Sequence, residues 1–119
     1  KPFIDSNYRT LKDAQNTAVI GSSMGGLISF HLVWEYPNIF GMAGCLSPAF
    51  LIDNNEILKR VKNDDCDKNI KIVISNGTKE LDAELQPAIT KMVNLLKFIS
   101  LKGTLLWKLK LMYAKLAEK

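Results

Sequence analysis

The sequence predicts an α/β fold of three layers, α/β/α, in which helices cover both faces of a mostly parallel sheet of three to four strands. Two observations predict it. Short β-branched runs alternate with segments whose apolar residues recur at helical spacing, in the order strand, helix, strand, helix, strand, helix. The runs are apolar at consecutive positions, which is typical of strands buried in a parallel sheet. The 119 residues are enough for one modest domain.

The first strand is predicted over TAVIG, residues 17–21, and a helix over MGGLISFHLVWEYP follows at once. In that helix Leu27, Phe30 and Val33 lie on one face. Pro37 closes it, because proline cannot continue a helix. The chain thus passes directly from a buried strand into an apolar-faced helix.

The second strand is predicted over FGMAGCLS, residues 40–47, which ends at a Ser-Pro pair. A short helix is predicted over DNNEILKRVK, residues 53–62. Asp53 or Asn54 is the expected N-cap, because their side chains accept hydrogen bonds from the free N–H groups of a first turn.

The third strand is predicted over NIKIVISNGT, residues 69–78, and a long amphipathic helix over residues 81–99. Pro87 is expected near the first turn of this helix, where proline is tolerated. The pattern of the last residues, 102–119, fits both a strand and a helix, and this tail is interpreted as a strand near 104–111 followed by a helical end.

The net charge of +4 is uneven: residues 91–119 carry +6 and residues 1–90 carry −2. The basic tail lacks arginine, so it indicates a solvated lysine face and no nucleic-acid partner. No apolar run approaches the roughly 18–20 residues of a membrane span, and no membrane partner is expected.

Cys45 lies in an apolar stretch and Cys66 in a polar one, so the sequence predicts neither a disulfide nor a metal site. We expect no cofactor. The two free cysteines slightly favour the cytoplasm over an oxidising compartment.

Residues Gly21-Ser22-Ser23-Met24-Gly25 fit the pattern G-x-S-x-G, with Ser23 at its centre. This pattern is typical of a nucleophilic serine on a tight turn between a strand and a helix. The backbone N–H of Met24, at the helix start, could then face a developing oxyanion. A glycine- and serine-rich helix start without chemistry is the alternative. The patterns of phosphate-binding loops are missing.

Three stretches carry a resemblance to a known family: GSSMGG with the YPNIFG turn after it, SPAF, and NGTKE. With PFIDSNYRT near the start, they resemble the esterase D and enterochelin-esterase group of α/β-hydrolases over about residues 2–100. The resemblance is confined to the C-terminal half of that fold. It implies that residues 1–119 form one partial α/β-hydrolase domain, a fragment of a longer protein.

The resemblance implies a serine hydrolase of small-molecule esters with a Ser–acid–His triad in that chain order. Ser23 would be the nucleophile, and Gly21, Gly25 and Gly26 would shape the turn around it. The acid would be Glu80, or else Asp82. Both acids can also be read as first-turn residues that complement a helix dipole.

The sequence lacks the histidine that the family pattern places after the acid. Its one histidine, His31, is eight residues beyond Ser23 on the predicted helix, about 12 Å along the axis. It cannot reach Ser23, since a base needs about 2.6–3.2 Å. The chain on its own is therefore expected to be an incomplete or inactive esterase. A non-catalytic binding module, and an acyltransferase on the same scaffold, stay open. A half-sheet would also expose a strand edge, so self-association is expected.

Overall fold

A computed structural model describes residues 1–64, 68–77, 82–101 and 109–113. In these residues a parallel sheet runs in the order β1-β2-β3-β4. Its strands are Ala18–Ser22 (β1), Met42–Leu46 (β2), Lys71–Asn76 (β3) and Leu109–Tyr113 (β4). The helices are Pro2–Asn7 (α1), Met24–Glu35 (α2), Ile52–Lys62 (α3) and Asp82–Leu101 (α4). The predicted α/β fold class with a parallel sheet is confirmed.

The core lies between one face of the sheet and three helices. Every second residue of β2 and β3 is buried there, because side chains alternate along a strand. Phe30 of α2 stacks on Trp34 at 5.7 Å between ring centroids and meets Phe50 edge-on at 5.2 Å. Residues of α2, α3 and α4 join the same buried cluster, so these helices cover the same face.

The opposite face of the sheet is left largely open by the described residues. Ile20 of β1 is 74% exposed and Leu46 of β2 is 40% exposed. A Cβ on Gly44 would lie 2.9 Å from the Ile20 side chain, so this side chain lies over Gly44 on this face. Apolar side chains there are typical of a sheet that something else covers.

The start of α3 differs from the prediction. Asp53, Asn54 and Asn55 have φ of 53°, 53° and 59°, in the left-handed region. The N-cap is Leu51 and makes no side-chain cap hydrogen bond. The predicted cap at Asp53 or Asn54 is wrong, because both residues form a left-handed turn instead of the extended conformation that a cap adopts.

Two further details of the C-terminal part differ. Pro87 is the sixth residue of α4 and lies in its second turn, just beyond the first turn near which it was expected. The strand in the tail is Leu109–Tyr113, so the predicted helical end does not begin before residue 114. Residues 102–108 and 114–119, and Cys66, lie outside the described residues.

Candidate active site

The carboxyl ends of the parallel strands lie at one edge of the sheet, where sites in such folds form. β1 ends at Ser22, β2 at Leu46 and β3 at Asn76, and the loops after them therefore lie at the same edge. The turn after β1 and the loop after β2 are fully described. The loop after β3 is described only at Gly77.

Ser23 occupies the N-cap position of α2 with φ 55° and ψ −115°. Its backbone is held on both sides: its N–H donates to the Leu46 carbonyl at 2.9 Å, and its carbonyl accepts from the amides of Leu27 and Ala49, each at 3.1 Å. These bonds fix a conformation that L-residues rarely adopt. The side chain is exposed and makes no cap hydrogen bond, so its hydroxyl is accessible from solvent.

The three glycines around Ser23 have different steric roles. A Cβ on Gly21 would lie 2.4 Å from the carbonyl carbon of Gly25. A Cβ on Gly26 would lie 3.1 Å from the Leu46 carbonyl and from Pro48. A Cβ on Gly25 would meet nothing within 4 Å. Gly21 therefore allows the strand to reach the helix start, and Gly26 lets α2 lie against the loop after β2.

Met24 is the first residue of α2, and 49% of it is exposed. The first four N–H groups of a helix have no partner within the helix. The Met24 N–H is one of them. It belongs to the residue after Ser23, at the end of the helix where the dipole favours negative charge.

The loop after β2 adds strained residues that the sequence analysis missed. Ser47 has φ 42°, and its N–H donates to the Ser75 carbonyl at 2.6 Å. All the non-glycine residues with positive φ in the described ranges lie in the turn after β1 or in this loop and the start of α3. Strained backbone clusters at functional sites. The Asp-Asn-Asn run could have indicated a left-handed turn, because Asp and Asn adopt this conformation more readily than other non-glycine residues.

The structure describes the candidate acids only in part. Glu80 lies outside the described residues, and Asp82 is described only by its backbone, as the first residue of α4. The two ends of their loop are fastened together by Asn76, which is 4% exposed. Its Nδ2 donates to Gln86 Oε1 at 2.9 Å, which ties the end of β3 to α4. Asn76 Oδ1 is buried and has no hydrogen-bond partner among the residues that the structure describes.

His31 lies in the third turn of α2 and is half-buried. Ser23 caps the same helix, so eight residues of helical rise, about 12 Å along the axis, lie between them. The structure thus agrees with the prediction that His31 lies on the same helix, too far along its axis to reach Ser23.

Other kinds of site were sought in the same ranges. The described side chains contain no group of three or more His, Cys, Asp or Glu that could hold a metal ion. None of the described helices is both long and apolar enough to cross a lipid bilayer.

Known proteins are similar to this chain in sequence and in fold. YjcH of Bacillus subtilis (strain 168), an uncharacterized protein, is 36% identical over 81 residues, which are 68% of this chain and 32% of YjcH. Enterobactin esterase FES of Shigella flexneri superposes with a TM-score of 0.74 at 20% identity, over 91% of this chain and 29% of FES. Siderophore hydrolase EstB of Aspergillus nidulans gives 0.60 at 19% identity, over 82% of this chain and 41% of EstB.

The chain thus spans about a third of the length of YjcH and FES. At these low identities the two structures establish the fold and no more. The family model described as "Putative esterase" matches residues 1–102, which is most of the chain. This chain belongs to that esterase family.

Proposed function

We propose that this chain carries the nucleophile of a serine ester hydrolase, and that the nucleophile is Ser23 in a nucleophile elbow. The observation that carries the proposal is the backbone of Ser23, which is held at φ 55° between β1 and α2 with its side chain exposed. A strained serine on a strand-to-helix turn within G-x-S-x-G is the context that this motif requires. Membership of the esterase family supports the same reaction class.

In the proposed reaction Ser23 Oγ attacks the carbonyl carbon of an ester. Its proton passes to a base and then to the leaving alcohol, as the acyl–Ser23 bond forms and the ester bond breaks. Water then hydrolyses the acyl–Ser23 bond and restores the serine hydroxyl. The Met24 N–H donates to the carbonyl oxygen as it becomes negative, an interaction stronger in the transition state than in the substrate.

The acid of the triad stays a proposal, with Glu80 preferred and Asp82 second. This assignment is supported by the position of the loop in the chain. The loop follows the carboxyl end of β3, and Ser23 follows the carboxyl end of β1 on the same side of the parallel sheet. An acid there would orient a histidine and stabilise its charged form.

The base is a group other than His31, since about 12 Å of helix separates His31 from Ser23. We propose that a second copy of this chain supplies it. The same observation favours a second candidate, a non-catalytic binding module that keeps the elbow only as architecture. The two candidates differ in whether Ser23 is activated.

The partner that this function requires is a small-molecule ester. The similar solved structures include an enterobactin esterase and a siderophore hydrolase, so siderophore esters are the first to test. Self-association through the exposed sheet edge is a further proposal, and the surface of β1 and α2 supports it.

The test is intact-mass measurement after incubation of the folded chain with a fluorophosphonate, which reacts with activated serines. We expect one adduct, lost in Ser23→Ala and kept in Ser22→Ala. Ser22 is the matched control, because it is an exposed serine one residue away. No adduct on folded protein, or an adduct that survives Ser23→Ala, would contradict the catalytic proposal and favour the binding module.

A further inference from the structure

Ser47 lies beside Ser23 at the carboxyl edge of the sheet. β1 and β2 pair in register as far as Ser22 and Leu46. The ladder takes one more step, because the Ser23 N–H donates to the Leu46 carbonyl at 2.9 Å. Ser23 and Ser47 are the next residues of the two paired segments. Paired segments in a sheet are about 4.8 Å apart, so Ser47 is a close neighbour of the proposed nucleophile.

The position of Ser47 is fixed from both sides, because β2 is an interior strand between β1 and β3. On the side of β3, the Ser47 N–H donates to the Ser75 carbonyl at 2.6 Å. On the side of β1, the Ala49 N–H donates to the Ser23 carbonyl at 3.1 Å, two residues further along the loop. These bonds hold Ser47 at a set place relative to Ser23.

The backbone of Ser47 is strained, and its hydroxyl does nothing within the described fold to offset the strain. Ser47 has φ 42° and precedes Pro48. A residue with a Cβ rarely adopts this region, and a following proline restricts it further. Glycine would adopt it freely. The Ser47 hydroxyl has no hydrogen-bond partner among the described residues. A strained residue with an unused polar side chain is a candidate for a role in binding.

The other polar side chains at the ends of β1 and β3 are less suited to meet a ligand at Ser23. Asn76 is 4% exposed, and its side-chain amide is bonded to α4. Ser22 and Ser75 are each one position away from the row of Ser47, so their side chains lie on the opposite face of the sheet. Ser47 is half-exposed. Of these described polar residues, Ser47 is the one placed to contact an ester bound at Ser23.

We propose that Ser47 is a substrate-contacting residue, whose hydroxyl bonds to a hydroxyl group on the carbon next to the scissile carbonyl. The inference rests on the proposed function, because it places the ester carbonyl at Ser23. The oxygen of such a substituent is two bonds from the carbon that Ser23 attacks, on the way to the neighbouring segment. A serine hydroxyl both donates and accepts hydrogen bonds, which suits a hydroxyl partner. Esters of α-hydroxy acids are then preferred over esters of plain alkyl acids.

The size of this preference follows from the half-exposed position of Ser47. A deeply buried hydroxyl left unpaired by the wrong substrate would give strong discrimination. Ser47 can instead bond to water when an alkyl acid is bound. The preference is therefore that of a single neutral hydrogen bond, about 2- to 10-fold in the dissociation constant.

The test is an NMR titration of the full chain carrying Ser23→Ala, which binds an ester without forming an acyl enzyme. The probes are racemic benzyl lactate and benzyl isobutyrate, which differ only in the replacement of the α-hydroxyl by a methyl group. We expect benzyl lactate to bind about 2- to 10-fold more tightly. Adding Ser47→Ala should abolish this preference. Ser75→Ala is the matched control and should keep it, since it removes a neighbouring hydroxyl on the other face.

Ser47→Gly is a second variant that guards against misfolding. It removes the same hydroxyl and relieves the positive φ, so it should fold at least as well as Ser47→Ala and should also abolish the preference. Thermal melts check the folding of all variants. A preference that survives both Ser47 substitutions would overturn the proposal. So would equal binding of the two esters, or binding of neither.

This result is independent of fluorophosphonate labelling, because the titrated protein lacks the Ser23 hydroxyl. An adduct on Ser23 without an ester preference would contradict only the role of Ser47. A preference that depends on Ser47, without an adduct on Ser23 in the unmodified sequence, would support the contact and contradict only the serine reaction.

Discussion

Gly21 and Gly25 approach so closely that a Cβ on Gly21 would lie 2.4 Å from the Gly25 carbonyl carbon, whereas a Cβ on Gly25 would meet nothing within 4 Å. Two glycines of one motif thus differ in their steric role, and only Gly21 is required to be glycine. The first removes a backbone collision between β1 and α2. The second supplies the backbone against which that collision would occur, and its own missing side chain leaves open space.

Alanine at the two positions should therefore have opposite effects. Gly21→Ala should lower the free energy of unfolding by about 1–3 kcal/mol, because backbone atoms must shift to admit the methyl group. Gly25→Ala, in the first turn of α2, should be neutral or raise it by up to about 1 kcal/mol, since glycine is a poor helix former. Urea unfolding of both variants measures the difference. Equal losses would show that the contact does not decide the role of Gly21.

Ser23 is predicted to lower the stability of the fold at its own position. With φ 55° and ψ −115°, it adopts a conformation that is strained for any residue with a Cβ. Ser23→Gly should therefore be more stable than Ser23→Ala by about 1 kcal/mol, after allowing for the greater freedom of glycine in the unfolded chain.

Chemical unfolding of the two Ser23 variants and the wild type provides the measurement. Ser23→Ala should match the wild type, because both keep a Cβ and the side chain makes no cap hydrogen bond. A Ser23→Gly variant no more stable than Ser23→Ala would mean that the turn is relaxed. Backbone strain at Ser23 would then no longer support its assignment as a nucleophile.

The fold was predictable because its strands are apolar at consecutive positions. β1 and β2 each lie within two residues of the predicted ends, and the buried side of β2 includes Cys45, which was expected in the core. The motif around Ser23 was predictable for a related reason. A strand that runs directly into a helix leaves only a tight turn between them, and glycines mark such a turn.

The loop after β2 was not predictable in the same way. Its positive φ values at Ser47 and in the Asp-Asn-Asn run have no periodicity to reveal them. Asp and Asn also favour N-caps, so the commoner conformation was predicted from the same residues. The residue before a proline normally avoids the helical regions, so Pro48 gave no hint of the φ of 42° at Ser47.

The left-handed turn at the start of α3 makes a prediction about Asn54. Its φ of 53° costs L-residues about 1–2 kcal/mol, less for Asn and nothing for Gly. Asn54→Gly should raise the free energy of unfolding slightly, and Asn54→Ala should lower it by about 1 kcal/mol. The control is Glu56→Ala, at an exposed position just beyond the turn, where alanine favours the helix. Loss of stability in Asn54→Gly would contradict a left-handed conformation at this residue.

Cys45 gives a prediction about pH. The residue is fully buried in the core, and burial raises the pKa of its thiol from 9.0 to about 12. Below pH 9 both the folded and the unfolded chain keep the thiol proton. Between pH 9 and 12 the unfolded chain releases it and the folded chain does not, so ionisation favours unfolding.

The contribution of Cys45 to stability is therefore present in full below pH 9 and is lost as the pH rises towards 12. Cys45→Ala is the reference, because every other ionisable group is common to the two proteins and its contribution cancels. The free energy of unfolding of the wild type minus that of Cys45→Ala should fall by about 1 kcal/mol between neutral pH and about pH 10. A difference that stays constant would mean that the folded chain also exposes this thiol to solvent.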